Sequence, residues 1–433
     1  MKHTKSILLA AIAAAAVGSA SAQTTNVVPR NQINLAGSTA FRSVHLKELN
    51  SYAVGQGYTL VASDSNPVSG TGSLALYSKL ISSATNAKTG VVTETRDFIN
   101  ARFVGSEGGT LLAGSKNTQG FYGLNQRGVG SSPSGTATNL MPATITYSDC
   151  DQSVGVFSGN KGALAKVAKL TSVGNLPALN FVFCTTKDFP ASNITGRQAS
   201  ALYTRGHLPL SFFTGNPSDS TNGVFALGRN LDSGTRTAVL TEIGIGSLGT
   251  VKQYDYSVAS NSLFLTPAGT LPGISFVAGM GGDSSGGDVT TKIGASTNLF
   301  AANVVNGPTN YTGKVYLIGY SGTPDANSSK GLKALSYNGI APYVQTPHAS
   351  TVGFQTNFNG IANGTYSLFS IGKVYVNAKN APKGTIQADV LTLAQALANN
   401  INTNTTATFG NGNTAISDLN IVRTVEGTTA QPK

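Results

Sequence analysis

The sequence predicts an α/β fold, and three observations carry that expectation. Strand-like apolar runs alternate with helix-period segments over most of the 433 residues. Several strand candidates end in Gly turns with Ser or Thr that open onto a helix. The length is ample for a real core and for two or three domains, at ~100–200 residues each. Hydrophobic residues make up 40% and charged residues only 11%, so the polar surface is built largely from Ser, Thr, Asn and Gly. The 51 glycines and 16 prolines imply many turns, without the three-residue period of collagen. No fixed-period internal repeat is present.

The elements follow in order. After a short polar leader, Ile33 to Gly37 reads as a strand, Gly37-Ser38-Thr39 as a turn, and Ala40 to Tyr52 as a helix with Phe41, Val44, Leu46, Leu49 and Tyr52 at helical spacing. Tyr58 to Ser63 reads as a strand, Ser65 to Gly72 as a loop and Leu74 to Ala87 as a helix. Arg102 to Val104 is a strand running into Gly105-Ser106-Glu107-Gly108-Gly109, with a helix expected over Thr110 to Ala113. Gly114 to Met141, rich in Gly, Ser, Asn and Thr, reads as a surface insertion. Ala143 to Tyr147 and Leu179 to Cys184 are strands, and Ser192 to Tyr203 contains a short helix. Gly223 to Arg229 is a strand, then Asn230 to Thr235 turns into a helix over Arg236 to Ile245. Val315 to Tyr320 and Tyr366 to Val376 are strands, and Ile386 to Ala398 is an amphipathic helix.

The start of the chain points to export. Lys2, His3 and Lys5 form a basic region, Ile7 to Val17 an apolar run, and Ala20-Ser21-Ala22 a small-residue site for cleavage before Gln23. The run is short for a ~20-residue membrane span, so a signal peptide over 1–22 and a soluble exported product, periplasmic or extracellular, are expected. Cleavage removes two lysines from a formal charge of +11. The remaining Lys and Arg are scattered without a basic run, a pattern that disfavours nucleic acid and leaves a general attraction for anions.

Cys150 and Cys184 are the chain's two cysteines. In an exported protein they suggest one structural disulfide, with reactive thiols as the alternative. The four histidines, His3, His45, His207 and His348, show no metal-ligand spacing. No nucleophile has a matching base nearby, so neither a cofactor nor an enzymatic activity is expected.

Three turns stand out: Gly37-Ser38-Thr39, Gly105-Ser106 and Ser233-Gly234-Thr235. A helix N-terminus offers free N–H groups, and Ser or Thr adds neutral donors, which suits an anion as well as simple helix capping. Arg229 precedes the third turn, where its planar fork can hold two oxygens of an oxyanion or form a salt bridge. Asp149 sits at another strand end. A carboxylate beside an anion makes sense where the anion carries a proton, as phosphate does and sulfate does not; the alternative is a turn residue.

These residues resemble the periplasmic phosphate-binding proteins that feed ABC-type phosphate importers. Leu35-Ala36-Gly37-Ser38-Thr39-Ala40-Phe41 looks like the family's opening Gly-Ala-Gly-Ser/Ala-Thr-Phe motif, and Val104 to Gly109 like its Gly-Ser-Ser-Gly-Gly turn. Tyr147-Ser148-Asp149 resembles its Ala-Ser-Asp, and Arg229 to Thr235 its Arg-x-x-x-Ser-Gly-Thr, in matching order. Ile318-Gly319-Tyr320 is similar to the family's second hinge crossing. The resemblance implies a type II periplasmic-binding clamshell. Its first lobe would span 24–187 plus 319–433, its second 188–318, with crossings near Cys184 to Asp188 and Ile318. It further implies capture of inorganic phosphate by Thr39, the Ala40 N–H, Ser106, Asp149, Arg229, Ser233, Gly234 and Thr235, and a membrane permease as partner. In this frame a Cys150–Cys184 disulfide would stiffen the binding edge. Ala40 stands where the family has Phe, Glu107 adds a negative charge beside Ser106, and Asp232 lies three residues after Arg229 where the family's Asp lies two after. Insertions at Pro67 to Glu94 and Gly114 to Met141 enlarge the first lobe in this reading. An exported interaction protein that keeps the fold but binds weakly is the alternative.

Overall fold

The computed structural model describes residues 25–40, 42–68, 73–104, 119–121, 123–124, 130–131, 140–150, 170–247, 249–271, 274–326, 331–347, 354–357, 359–380, 387–403, 413–414, 417, 419–422 and 431–432. The expected signal peptide, Ser106 with its Gly-rich turn, and the expected helix over Thr110 to Ala113 lie outside these residues.

Strand β1 (Thr25–Ser38) leads through helix α1 (Arg42–Gly55) to β2 (Thr59–Ser63) and the hairpin of β3 (Leu74–Thr85) and β4 (Val92–Val104). Next come β5 (Ile145–Ser148), the long β6 (Thr171–Thr186), α2 (Gly196–Arg205), β7 (His207–Pro209), β8 (Gly223–Ala226), α3 (Gly234–Glu242) and α4 (Gly286–Ala295). The chain returns with β9 (Val315–Gly322), β10 (Leu332–Ala334), β11 (Phe369–Val376), α5 (Gln387–Thr403) and β12 (Asn413–Thr414). The fold is α/β: a 12-stranded mixed sheet in the order β7-β8-β9-β6-β11-β5-β1-β4-β3-β2, with β10 and β12 also paired to β6, and helices packed on it.

Two parallel groups, β5–β1–β4 and β8–β9, are joined by antiparallel neighbours. The joint is β6, whose Phe181–Cys184 pairs antiparallel with Gly319–Gly322 of β9. Side chains alternate across a strand, and here they feed two cores. Phe181 and Phe183 of β6, Val224 and Ala226 of β8, and Ile318 and Tyr320 of β9 enter the larger one. Val182 and Cys184, Phe225 and Leu227, and Val315 and Leu317 enter the other. Burial on both faces accounts for the unbroken apolar runs in these strands. Helix α5 buries Val390, Leu393, Ala394, Leu397, Ala398 and Ile401, the i, i+3, i+4 stripe of an amphipathic helix.

Two segments differ from expectation. Leu74–Thr85 is a strand rather than a helix, because it pairs along its length with β4. Asn86 closes that hairpin, its side chain accepting from the N–H groups of Lys88 and Thr89, and Gly90 takes a positive φ of 67°. The segment from Pro67 to Glu94 is therefore largely part of the main sheet, not an appendage. The leader also belongs to the sheet: Thr25–Pro29 pairs with Val92–Arg96, and a bulge lets the Arg30 fork grip Asp97 at 2.8 and 2.5 Å.

The expected disulfide is not formed; Cys150 and Cys184 are both buried thiols. The register explains why. Ser148 is level with Lys373, so Cys150 falls near the level of Ile371, which pairs with Ala178. Cys184 lies farther along β6 by about 20 Å at ~3.3 Å per residue, beyond the ~7 Å that a disulfide tolerates between Cα atoms. Alkylation of the denatured, non-reduced protein is expected to label both thiols, read by mass spectrometry; an intact bridge would contradict the register.

His45 of α1 is wholly buried, 3.9 Å from the Tyr147 ring and 5.7 Å from that of Phe103, between centroids. Burial lowers its pKa from 6.5 to about 3. The unfolded chain therefore binds a proton that the folded protein refuses. The contribution is complete above pH 6.5 and is lost as pH falls toward 3, at about 1.4 kcal/mol per pH unit. Urea unfolding between pH 7 and pH 5 should show this slope, and His45→Leu should flatten it.

Candidate functional site

Three of the four strands that carry the motifs, β5, β1 and β4, stop side by side. β1 and β4 end in register, Ser38 against Val104, and Gly37 pairs with Tyr147 two residues before Asp149. Ligands in open α/β sheets sit at such C-terminal strand ends, where neighbouring strands part. Gly37 is required by this approach: a Cβ there would lie 2.6 Å from the Tyr147 carbonyl oxygen. The β1 and β5 ends can close together only with glycine at that point.

From another part of the sheet, β8 passes through Leu227 and Arg229 to the N-terminus of α3. Ser233 is the N-cap, its hydroxyl accepting from the Arg236 N–H at 3.3 Å. Thr235, in the first turn, donates its hydroxyl to Asp149 Oδ2 at 2.9 Å. Ser233, Gly234 and Thr235 are all buried.

The structure thus brings together Thr39, Ala40, Asp149, Arg229, Ser233, Gly234 and Thr235, while Ser106 falls outside the described residues. Ala40 directs its N–H onto Ser38 Oγ at 3.1 Å. Asp149 is only 1% exposed. Burial pushes its carboxyl above the usual carboxylate range, and the opposing pull comes from the Arg229 charge and from hydrogen bonds with Thr235 and Ser38.

Arg229 is 3% exposed. Its Nε donates to the Asp283 carbonyl at 3.1 Å, and its Nη2 to the Ser284 carbonyl at 2.8 Å and to Thr39 Oγ1 at 3.5 Å. Among the described residues no carboxylate lies within ion-pair distance of it. Asp232 is also beyond that distance; burial raises its carboxyl, and the Arg229 charge pulls the other way. The guanidinium is therefore hydrogen-bonded by neutral oxygens. Among the described residues no group of His, Cys, Asp and Glu could hold a metal ion, and no helix is long and apolar enough to cross a membrane.

The residue list read from the motifs lacks Ser38 as a partner of Asp149, and the loop carrying Asp283 and Ser284. That loop is visible in Gly281-Gly282-Asp283-Ser284-Ser285-Gly286, another Gly/Ser turn ahead of a helix, with Ser285 as the N-cap of α4. It also lacks Gln253, and Tyr320 is read there only as part of a hinge crossing; both meet Arg229 at its main chain.

No family model and no curated protein matches this chain in sequence. Some solved structures are similar to it at low identity. A candidate phosphate ABC transporter substrate-binding protein from Clostridium perfringens, with phosphate bound, is 13% identical over 89% of this chain and 100% of its own, with a TM-score of 0.44. An ABC-type phosphate transport receptor from Vibrio cholerae is 13% identical over 88% of this chain and 99% of its own, with a TM-score of 0.42. PstS from Borrelia burgdorferi is 13% identical over 89% and 98%, with a TM-score of 0.37.

Ser233→Ala removes the cap of α3 beside Asp149 and Thr235. It is expected to cost about 1 kcal/mol in urea unfolding, and an unchanged midpoint would show that the hydroxyl caps nothing.

Proposed function

We propose that this chain captures inorganic phosphate reversibly in the cleft between two lobes and hands it to an ABC-type importer, with no bond made or broken. The observation that carries the reading is the pairing of opposites in one buried place. Arg229, without a carboxylate partner among the described residues, supplies charge, and Asp149, close enough to feel that charge, supplies an acceptor. An anion that fits both must bring its own proton. Monohydrogen and dihydrogen phosphate do; sulfate at neutral pH does not.

In this reading Arg229 makes charge-assisted bonds to two phosphate oxygens, and Asp149 accepts the phosphate proton. Thr39, Ser106, Ser233 and Thr235 donate hydroxyls, and the N–H groups of Ala40, Gly234 and Thr235 complete the cage. Ala40 and Thr235 would exchange their present hydrogen bonds, to Ser38 and Asp149, for phosphate. The lobes are assigned to 24–187 with 319–433 and to 188–318, hinged where β6 meets β9, with removal of 1–22 on export to the periplasm.

Calorimetric titration at neutral pH tests this. Phosphate is expected to bind and sulfate to give no heat. Arg229→Ala and Asp149→Ala are each expected to weaken phosphate by at least 100-fold, from charged hydrogen bonds of ~1.5–3 kcal/mol each and the partner left buried. Equal affinity for sulfate, or silence toward both anions, would overturn the reading.

A further inference from the structure

Arg229 is gripped at its main chain by a closed ring of hydrogen bonds. Its N–H donates to the Tyr320 hydroxyl at 3.2 Å, that hydroxyl donates to Gln253 Oε1 at 3.0 Å, and Gln253 Nε2 returns to the Arg229 carbonyl at 3.1 Å. Gln253 and Tyr320 are fully buried. Gln253 Nε2 also donates to the Gly281 carbonyl, at the start of the loop whose carbonyls hold the guanidinium. Arg236 Nη1 adds a second donor to the Arg229 carbonyl at 2.9 Å. Gly228 leaves room for the ring: a Cβ there would fall 1.9 Å from Gln253 Oε1 and 2.8 Å from the Tyr320 hydroxyl.

The polar atoms of both side chains are spent on this ring and its loop. Tyr320 stands on β9, which pairs with β8 on one side and with β6, at the joint of the sheet, on the other. We propose that Tyr320 and Gln253 are positioning residues for Arg229, fixing the direction of its side chain toward Thr39, with Tyr320 standing on the strand that pairs with the joint β6. The inference rests on the phosphate reading for its effect on affinity, but not for the ring itself. Removing the Tyr320 hydroxyl leaves a buried N–H and a buried amide oxygen without partners, while the aromatic ring still fills its place against Phe183 and Tyr203.

The test compares wild type, Tyr320→Phe and Gln253→Met in two measurements, each repeated in an Arg229→Lys background. In ligand-free protein, hydrogen exchange should speed up at the peptide containing residue 229 and stay unchanged at β3 and β4. In titration with inorganic phosphate, Tyr320→Phe should weaken binding about tenfold, and much less when Arg229 is already lysine. Unchanged exchange together with unchanged affinity would overturn the proposal. An equal loss in the lysine background would overturn it too, since the side chains would then act on the fold at large. If wild type ignores phosphate, the capture reading falls while the exchange measurement still decides whether the ring holds Arg229. Should Tyr320→Phe fail to fold, Gln253→Met decides in its place.

Discussion

The short antiparallel ladder between Phe181–Cys184 and Gly319–Gly322 is the constraint on which the rest of the structure depends. It is the one pairing in the main sheet order that links the β5–β1–β4 group, reached through β11 and β6, to the β8–β9 group. Both strands are buried on both faces, so they cannot shift by one residue without exchanging the contents of two cores. That fixed register is what sets the end of β8, with Arg229, opposite the ends of β1 and β5, with Thr39 and Asp149.

Around that frame the site manages a costly charge. A buried guanidinium usually needs a carboxylate close by, because desolvation penalties run to several kcal/mol per ion. Arg229 instead faces two main-chain carbonyls and a hydroxyl, all neutral. The loop that supplies the carbonyls is itself tied down, since Lys292 of α4 joins the carboxylates of Asp283 and Asp255. Asp149 has the mirror problem, a buried acid relieved by the hydroxyls of Thr235 and Ser38 and by the Arg229 field.

Much of this could be read from the chain. Strands with unbroken apolar runs, such as Leu179 to Cys184 and Val315 to Tyr320, are legible because burial on two faces leaves no polar alternation to confuse them. The Gly37, Asp149 and Arg229 motifs are legible because close approach, a buried acid and a planar fork each demand one residue type. Leu74–Thr85 was harder: its leucines fit a helical stripe, and only pairing with β4 decides the matter, although Asn86 to Gly90 spells a hairpin turn. The thiols were misleading because pairing depends on distance, and a count of two carries none. Gln253 left no trace and Tyr320 showed only as part of a hinge crossing, since a side chain that serves another residue's main chain has no pattern along its own.

The sheet order also dictates when the protein can fold. The central β6 runs from Thr171, yet its neighbours β9 and β11 begin at Val315 and Phe369, and among the described residues β11 is the strand between β6 and β5. A growing chain therefore carries β1, β5 and β6 for some 200 residues before the strand that joins them exists. Contacts so distant in sequence close slowly. Until then the long apolar face of β6 has no native cover from β11, so the sheet cannot close until the last part of the chain is present.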